Sequence, residues 1–345
     1  MPPPDQSRVT GSMAGAAQRL ASAAHALAAV GAVADDVFSG HLAEVPAELA
    51  AALAPVLAPP ERAAGLRVVR GLLDGYADPG PTPPNWRQAP SARTAALDIA
   101  VVLAAATLGR VFGWAGQQDG RLVHNIVPSR GAERLQVGAS SAAELVWHTE
   151  DAFHPRRAGL LLLACVRNDD GVGSGVASVR RATLTGRQVE VLGRRRVAIV
   201  PDDSYPGCYP GSYHGSYPGA WSGGERRRNA IATVWRADDG LCLRYDPSYT
   251  RFLDPDPEFA DAYAALGRSL GQCGEQVLIG PGDVLLIDND VAVHGRLPFA
   301  ARYDGTDRWL KRVQVRLPRR RPPGEDREDG YGQVPIEPAA ASSRS

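Results

Sequence analysis

The chain has 345 residues, 44% of them hydrophobic and 22% charged, and its 38 basic and 38 acidic residues give a formal net charge of zero. That is the composition of a globular protein with one large domain or two small ones, without the basic excess that a nucleic-acid or anionic-membrane partner requires. The four cysteines, Cys165, Cys208, Cys242 and Cys273, show no paired spacing, so neither a zinc site nor a disulfide framework is implied. The start, Met1-Pro2-Pro3-Pro4-Asp5, lacks a basic region followed by an apolar core, and no apolar run reaches membrane length. A cytoplasmic protein is expected.

In chain order, residues 1–12 are expected to be disordered. Ala-rich stretches then predict helices over 13–34 and 41–57. Pro59-Pro60 before Glu61 predicts another helix, running to Leu73. A Pro-rich loop over 77–91 precedes a helix over 92–109. Strands follow over 122–127, 160–166, 197–200, 230–235 and 241–245, with a helix over 258–270. Residues 276–279 and 284–288 flank Gly280-Pro281-Gly282-Asp283 and predict a β-hairpin. The last strand covers 309–317, and 319–345 reads as a disordered tail. Helices followed by many short strands predict an α+β protein with a mainly β core, a jelly roll flanked by helices. The expected division is a single domain over 13–318, helical to about residue 110 and jelly roll from about 111 to 318. No glycine-rich nucleotide-binding motif is present. The Tyr-Pro-Gly repeat over 205–219 forbids regular structure, and reads as a surface loop or as a lid over a site.

Two segments far apart carry chemistry. His148-Thr149-Glu150 offers an imidazole and a carboxylate, which a strand would place on one face. His294 lies just beyond the 284–288 strand and supplies a second imidazole. Two His and one carboxylate can hold one face of Fe(II) and leave the other open. His124, His154 and His214 lack a suitable partner nearby in the sequence and read as ordinary polar histidines, and His25 and His41 lie in Ala-rich helices.

The text around these ligands carries a resemblance. His148-Thr149-Glu150-Asp151-Ala152-Phe153, Pro155-Arg156-Arg157-Ala158 and Arg167-Asn168 resemble the clavaminate synthase-like family of Fe(II)/2-oxoglutarate oxygenases, which act on free amino acids and include arginine hydroxylases. His294-Gly295-Arg296-Leu297-Pro298-Phe299 and Arg302 to Arg312 are similar to the C-terminal signature of that family. The resemblance covers roughly residues 100–318 and implies a double-stranded β-helix. It makes His148, Glu150 and His294 the iron ligands, with O2 as co-substrate. It makes Arg308 the clamp for the distal carboxylate of 2-oxoglutarate, a task that suits a planar, bidentate guanidinium. Arg312 becomes a second carboxylate-facing group. Gln117 and Asp202 fall where relatives contact the amine and carboxylate of the substrate, and Glu150 also borders it. Asp246 matches one acid of the guanidinium-binding pair, but the second position is Ser248, which puts arginine in doubt and admits a ureido or amide side chain. Arg156 and Arg157 read as structural.

The implied reaction is hydroxylation of an unactivated carbon, the β-carbon in relatives, in natural-product biosynthesis. Desaturation or cyclisation could begin from the same hydrogen abstraction. Glu150 argues against halogenation, which needs the carboxylate position vacant. Rival readings are a non-catalytic jelly-roll binding protein and a metal-dependent hydrolase or isomerase on the same barrel.

Overall fold

The computed structural model describes residues 6–338, other than 77, 90, 206–228, 319 and 323. Most of the Tyr-Pro-Gly repeat, with His214, lies outside the described residues. Helices α1 (Gln6–Ala29), α2 (Ala47–Leu53) and α3 (Ser91–Ala106) come first. The first helix thus begins inside the stretch expected to be disordered.

Residues 61–73 do not form the expected helix. The Glu61 carboxylate caps the Ala63 and Ala64 amides in a single turn. The chain then enters strand β1 (Leu66–Val69), because Gly65 and Gly71, at φ +68° and +67°, break any helix. A Cβ at Gly65 would also come within 3.0 Å of the Ala292 methyl.

The next strands are β2 (Arg110–Trp114), β3 (Val123–Ile126), β4 (Leu145–His148), β5 (Leu160–Arg167) and β6 (Ser174–Ser178). Helix α4 (Gly186–Leu192), β7 (Val197–Ile199), β8 (Val234–Ala237), β9 (Gly240–Leu243), β10 (Thr250–Phe252) and helix α5 (Pro257–Cys273) follow. The chain continues through β11 (Glu275–Val277), β12 (Val284–Asp288), β13 (Ala292–Arg296), β14 (Trp309–Arg316) and β15 (Pro335–Ile336). β2, β6, β10, β13, β15 and α4 have no counterpart in the sequence reading: β6 is a Ser-Gly-Val-Ala-Ser run too small-sided to announce itself.

Among the described residues all strand pairing is antiparallel: a seven-stranded sheet ordered β1-β12-β5-β14-β2-β15, with β3 also on β14, a four-stranded sheet ordered β11-β6-β13-β4, and two-stranded pairs β7-β10 and β8-β9. The expected 276–288 hairpin does not form. β11 pairs with β6 in the small sheet and β12 with β1 and β5 in the large one, so the Gly280–Asp283 turn carries the chain between sheets. Asp283 holds that corner by accepting from the Gly280 and Gly71 amides.

Alternation explains the layers. Leu161, Leu163 and Cys165 of β5, with Leu285 and Ile287 of β12, share a buried cluster with Val176 of the small sheet. Leu160, Leu162 and Ala164, with Val284 and Leu286, face the other way, onto Ile99–Ala105 of α3 and Leu20 of α1. Both faces of the large sheet are covered, so β5 reads as one unbroken apolar run.

Residues 320–338 are part of the fold, against the expectation of a loose tail. Ile336 and Pro335 pair with Gly113 and Trp114 of β2. Glu325 accepts from Arg157 at 2.5 Å and from Arg244 at 2.9 Å, and Glu328 accepts from Arg244 at 2.7 Å, all with nearly no exposure. Sequence alone missed this because the cations these acids neutralise lie far upstream. Removing one partner of a buried ion pair strands the other charge. Glu325→Ala is therefore expected to cost about 3–5 kcal/mol, read as a lower urea midpoint with an unchanged slope.

Candidate functional site

β4 and β13 are neighbours, and their register sets His148 opposite His294. The two rings stand 4.2 Å apart, centroid to centroid. Glu150 does not reach the site by strand alternation, as expected from sequence, because β4 ends at His148. Beyond it Thr149 donates its amide to the Tyr245 carbonyl at 2.7 Å, and Asn289 brackets the Glu150 backbone, accepting from its amide and donating to its carbonyl. Asp151 follows at φ +49°, a turn that sends the two consecutive carboxylates to different places.

The ligand atoms of His148, Glu150 and His294 lie within 4.8 Å of one another, with Glu150 Oε2 3.2 Å from His294 Nε2. His148 Nδ1 lies 2.9 Å from the Val146 carbonyl, which fixes the hydrogen there and frees Nε2 to ligate. Burial, and then the neighbouring His294, lower the His148 pKa and keep it a neutral donor. Burial pushes Glu150 up, but Arg312 and the two imidazoles more than offset it and hold it below the usual carboxylate range. Two imidazoles and one carboxylate at this spacing fit a divalent transition metal.

β14 supplies the second layer. Its interior face presents Leu310, Arg312 and Gln314, while Lys311, Val313 and Val315 face the helices. Arg312 bonds Glu150 Oε1, donates to Gln117 Oε1 at 2.9 Å and lies 2.7 Å from His124 Nδ1. Burial first, and the Arg312 charge second, push His124 down to about 3, so it stays neutral and accepts from Arg312. Gln117 Nε2 donates in turn to Ser204 Oγ at 2.9 Å. Asp151 accepts three hydrogen bonds, from Trp114 Nε1 and Gln314 Nε2 at 2.8 Å each and from the Tyr205 hydroxyl at 2.5 Å.

Arg308, two positions before Leu310, is buried and donates to Ser174 Oγ at 2.7 Å. Ser174 is two residues from Val176, the cross-strand neighbour of His294, so it shares the face of that ligand. Burial lowers Arg308 to about 10, leaving it charged, and among the described residues no carboxylate pairs with it. A buried, unbalanced cation beside the metal ligands is built for an anion.

The opposite imbalance lies on the other side. Burial pushes Asp246 up to about 7, with His148 pulling it down and Asp202 pushing it further up. Asp202 is half-buried, yet desolvation of its carboxyl pushes it up to about 7 against the Ser204 hydrogen bond, with Asp151 and Glu150 adding to the rise. Ser248 spends its amide on Asp246 Oδ1 at 3.0 Å. Neither acid has an arginine or lysine partner among the described residues.

Sequence reasoning missed Ser174, His124 and the Trp114–Asp151–Gln314–Tyr205 cluster. The Asp151-Ala152-Phe153 text was the only local signal. His154 is neutral and buried, with Nε2 3.2 Å from the Gln333 carbonyl, and Arg157 is locked to Glu325 and Asp290. Both are structural.

The family described as taurine catabolism dioxygenase TauD, TfdA family matches residues 104–314. An enduracididine beta-hydroxylase of Streptomyces hygroscopicus is 36% identical over 268 residues, 73% of this chain and 76% of that protein. An L-ornithine/L-arginine 3-hydroxylase of Catenulispora acidiphila is 33% identical over 262 residues, 72% and 76% of the two chains. The non-heme iron oxygenase OrfP, solved with Fe, succinate and (3R,4R)-dihydroxy-L-Arg, superposes with a TM-score of 0.72 at 35% identity, covering 87% of this chain and 91% of that one.

Asp246 binds its proton more tightly folded than unfolded, so its destabilising effect grows as pH rises from about 4 to about 7 and is absent in acid. Asp246→Asn is accordingly expected to raise the thermal midpoint of the ligand-free protein at pH 8 and to leave it unchanged below pH 4, measured by calorimetry.

Proposed function

The chain belongs to the TauD, TfdA family of dioxygenases, and we propose that it is an Fe(II)/2-oxoglutarate-dependent hydroxylase acting on the β-carbon of free arginine or a close guanidino relative. The observation that carries this reading is the pairing of a metal-ligand triad with two buried charge imbalances of opposite sign. The two facing sheets then form a double-stranded β-helix, and residues 13–318 act as one oxygenase domain, which the 320–338 segment extends.

His148, Glu150 and His294 hold the metal on one face. Bound there with 2-oxoglutarate and O2, Fe(II) supplies the oxidising power to take hydrogen from an unactivated C–H bond and return hydroxyl, with succinate and CO2 as by-products. Arg308, aligned by Ser174, grips the distal carboxylate of 2-oxoglutarate. Arg312 faces the carboxylate of the amino acid, and Gln117 and Glu150 face its amine. Asp246 takes the cationic end of its side chain, and Asp202, expected from sequence at the amine and carboxylate of the substrate, joins it there because its charge acts on Asp246. Two uncompensated carboxyls favour a guanidinium over a neutral ureido or amide group, even with Ser248 in place of a third acid. The relatives, a beta-hydroxylase and a 3-hydroxylase, support attack on the β-carbon. Enduracididine in one of them supports a place in natural-product biosynthesis. No described helix is long and apolar enough to cross a membrane.

The test is mass spectrometry of the protein with Fe(II), ascorbate, 2-oxoglutarate and O2 against arginine, enduracididine, citrulline, homoarginine, ornithine, lysine, glutamine and asparagine. A product one oxygen atom heavier, matched by succinate and absent with His148→Ala, is expected for arginine or enduracididine. Absence of both products, with no visible band on anaerobic addition of 2-oxoglutarate, would overturn the reading. Arg308→Gln is expected to raise the KM for 2-oxoglutarate roughly 10–100-fold, since a hydrogen bond to a charged group contributes about 1.5–3 kcal/mol. Asp246→Asn is expected to move preference from arginine toward citrulline in the same assay.

A further inference from the structure

We infer that Tyr205 is a positioning residue that holds the side-chain-binding carboxylate of Asp202 in register with the metal-binding carboxylate of Glu150. The inference rests on the hydroxylase reading above. Tyr205 is buried, its ring meets Phe153 edge-on at 4.9 Å, and a Cβ at Gly116 would come within 3.3 Å of it. Its hydroxyl donates at 2.5 Å to Asp151 Oδ1, and Asp151 immediately follows Glu150. The other oxygen of Asp151 is held by Trp114 and Gln314, so this anchor is itself fixed to β2 and β14.

A second tether runs in parallel. Ser204 Oγ accepts from Gln117 Nε2, and Gln117 Oε1 accepts from Arg312, which bonds Glu150. Both tethers leave the chain within three residues of Asp202; the first ends on Asp151, the residue after Glu150, and the second on the Glu150–Arg312 pair. Ser204 closes the span locally by donating its amide to Asp202 Oδ1 at 2.7 Å.

The consequence is geometric. A free amino acid of arginine type is held at both ends, and which carbon faces the metal depends on the distance between the two ends of the site. Neighbouring carbons differ by about one bond length, and a displacement of about 1 Å at a reacting atom can cost up to roughly a hundredfold in productive reaction. Tyr205 therefore governs coupling and regiochemistry rather than co-substrate turnover.

The test compares the wild type with Tyr205→Phe, which removes one hydroxyl and keeps the ring. Succinate and hydroxylated amino acid are both quantified. Uncoupled turnover converts 2-oxoglutarate and O2 to succinate and CO2 with no hydroxyl delivered, the second oxygen atom leaving as water with two electrons from ascorbate and two protons. The expected result is a retained anaerobic band with 2-oxoglutarate and a roughly tenfold higher ratio of succinate to product, with hydroxyl appearing on a neighbouring carbon. An unchanged ratio and a single product would overturn the inference. Ser204→Ala, which severs only the second tether, is expected to raise the ratio in the same direction, and it decides the matter if Tyr205→Phe does not fold. An unchanged ratio there would then overturn the inference. Failure of the wild type itself to form succinate would sink the hydroxylase reading instead, so the two failures are distinguishable.

Discussion

A buried cation has to be balanced, and Arg312 is the one on which the arrangement of this site depends. Its guanidinium sits on β14, the strand that carries β5 on one side and β2 and β3 on the other. It fixes Glu150 from one side while the imidazoles of His148 and His294 approach from the other. Its other terminal nitrogen meets Gln117 and a neutral His124. One side chain thereby ties the Glu150 carboxylate and Gln117 to a buried strand of the large sheet.

The same strand also fastens the helical layer. Lys311, the only lysine in the sequence, points away from Arg312 and pairs with Asp98 of α3 at 2.6 Å, while Asn125 accepts from it at 3.0 Å. The adjacent His124 and Asn125 of β3 divide the same way, one toward Arg312 and one toward Lys311. Two neighbouring cations on β14 thus satisfy two different layers, a direct result of the period of two in a strand. What remains is an asymmetry: among the described residues Arg308 has no carboxylate partner, and Asp202 and Asp246 have no arginine or lysine partner.

What was legible in the sequence follows from the range of each signal. β5 and β14 announce themselves because continuous apolar or alternating text is local. The ligand triad was readable because His148 and Glu150 are two residues apart and His294 stands in a recognisable run, although the strand argument for Glu150 was wrong and a turn delivers it. Ser174 carried no signal: a serine in a small-sided strand acquires meaning only when β6 is laid against β13. His124 looked isolated because its partner, Arg312, is 188 residues away. The helix expected over 61–73 failed at Gly65 and Gly71, whose left-handed backbone was outvoted in the reading by the proline pair before Glu61.

The acids at 325 and 328 carry one further implication, concerning the order of events during synthesis. Arg157 meets Glu325 across 168 residues, and Arg244 meets Glu328 across 84. Arg244 also donates to the Ala152 carbonyl, within the turn that follows the metal ligand. On the ribosome that turn is made long before its counter-charges exist. The loop that follows Glu150 therefore acquires these buried ion pairs only when the segment bearing Glu325 and Glu328 has been synthesised.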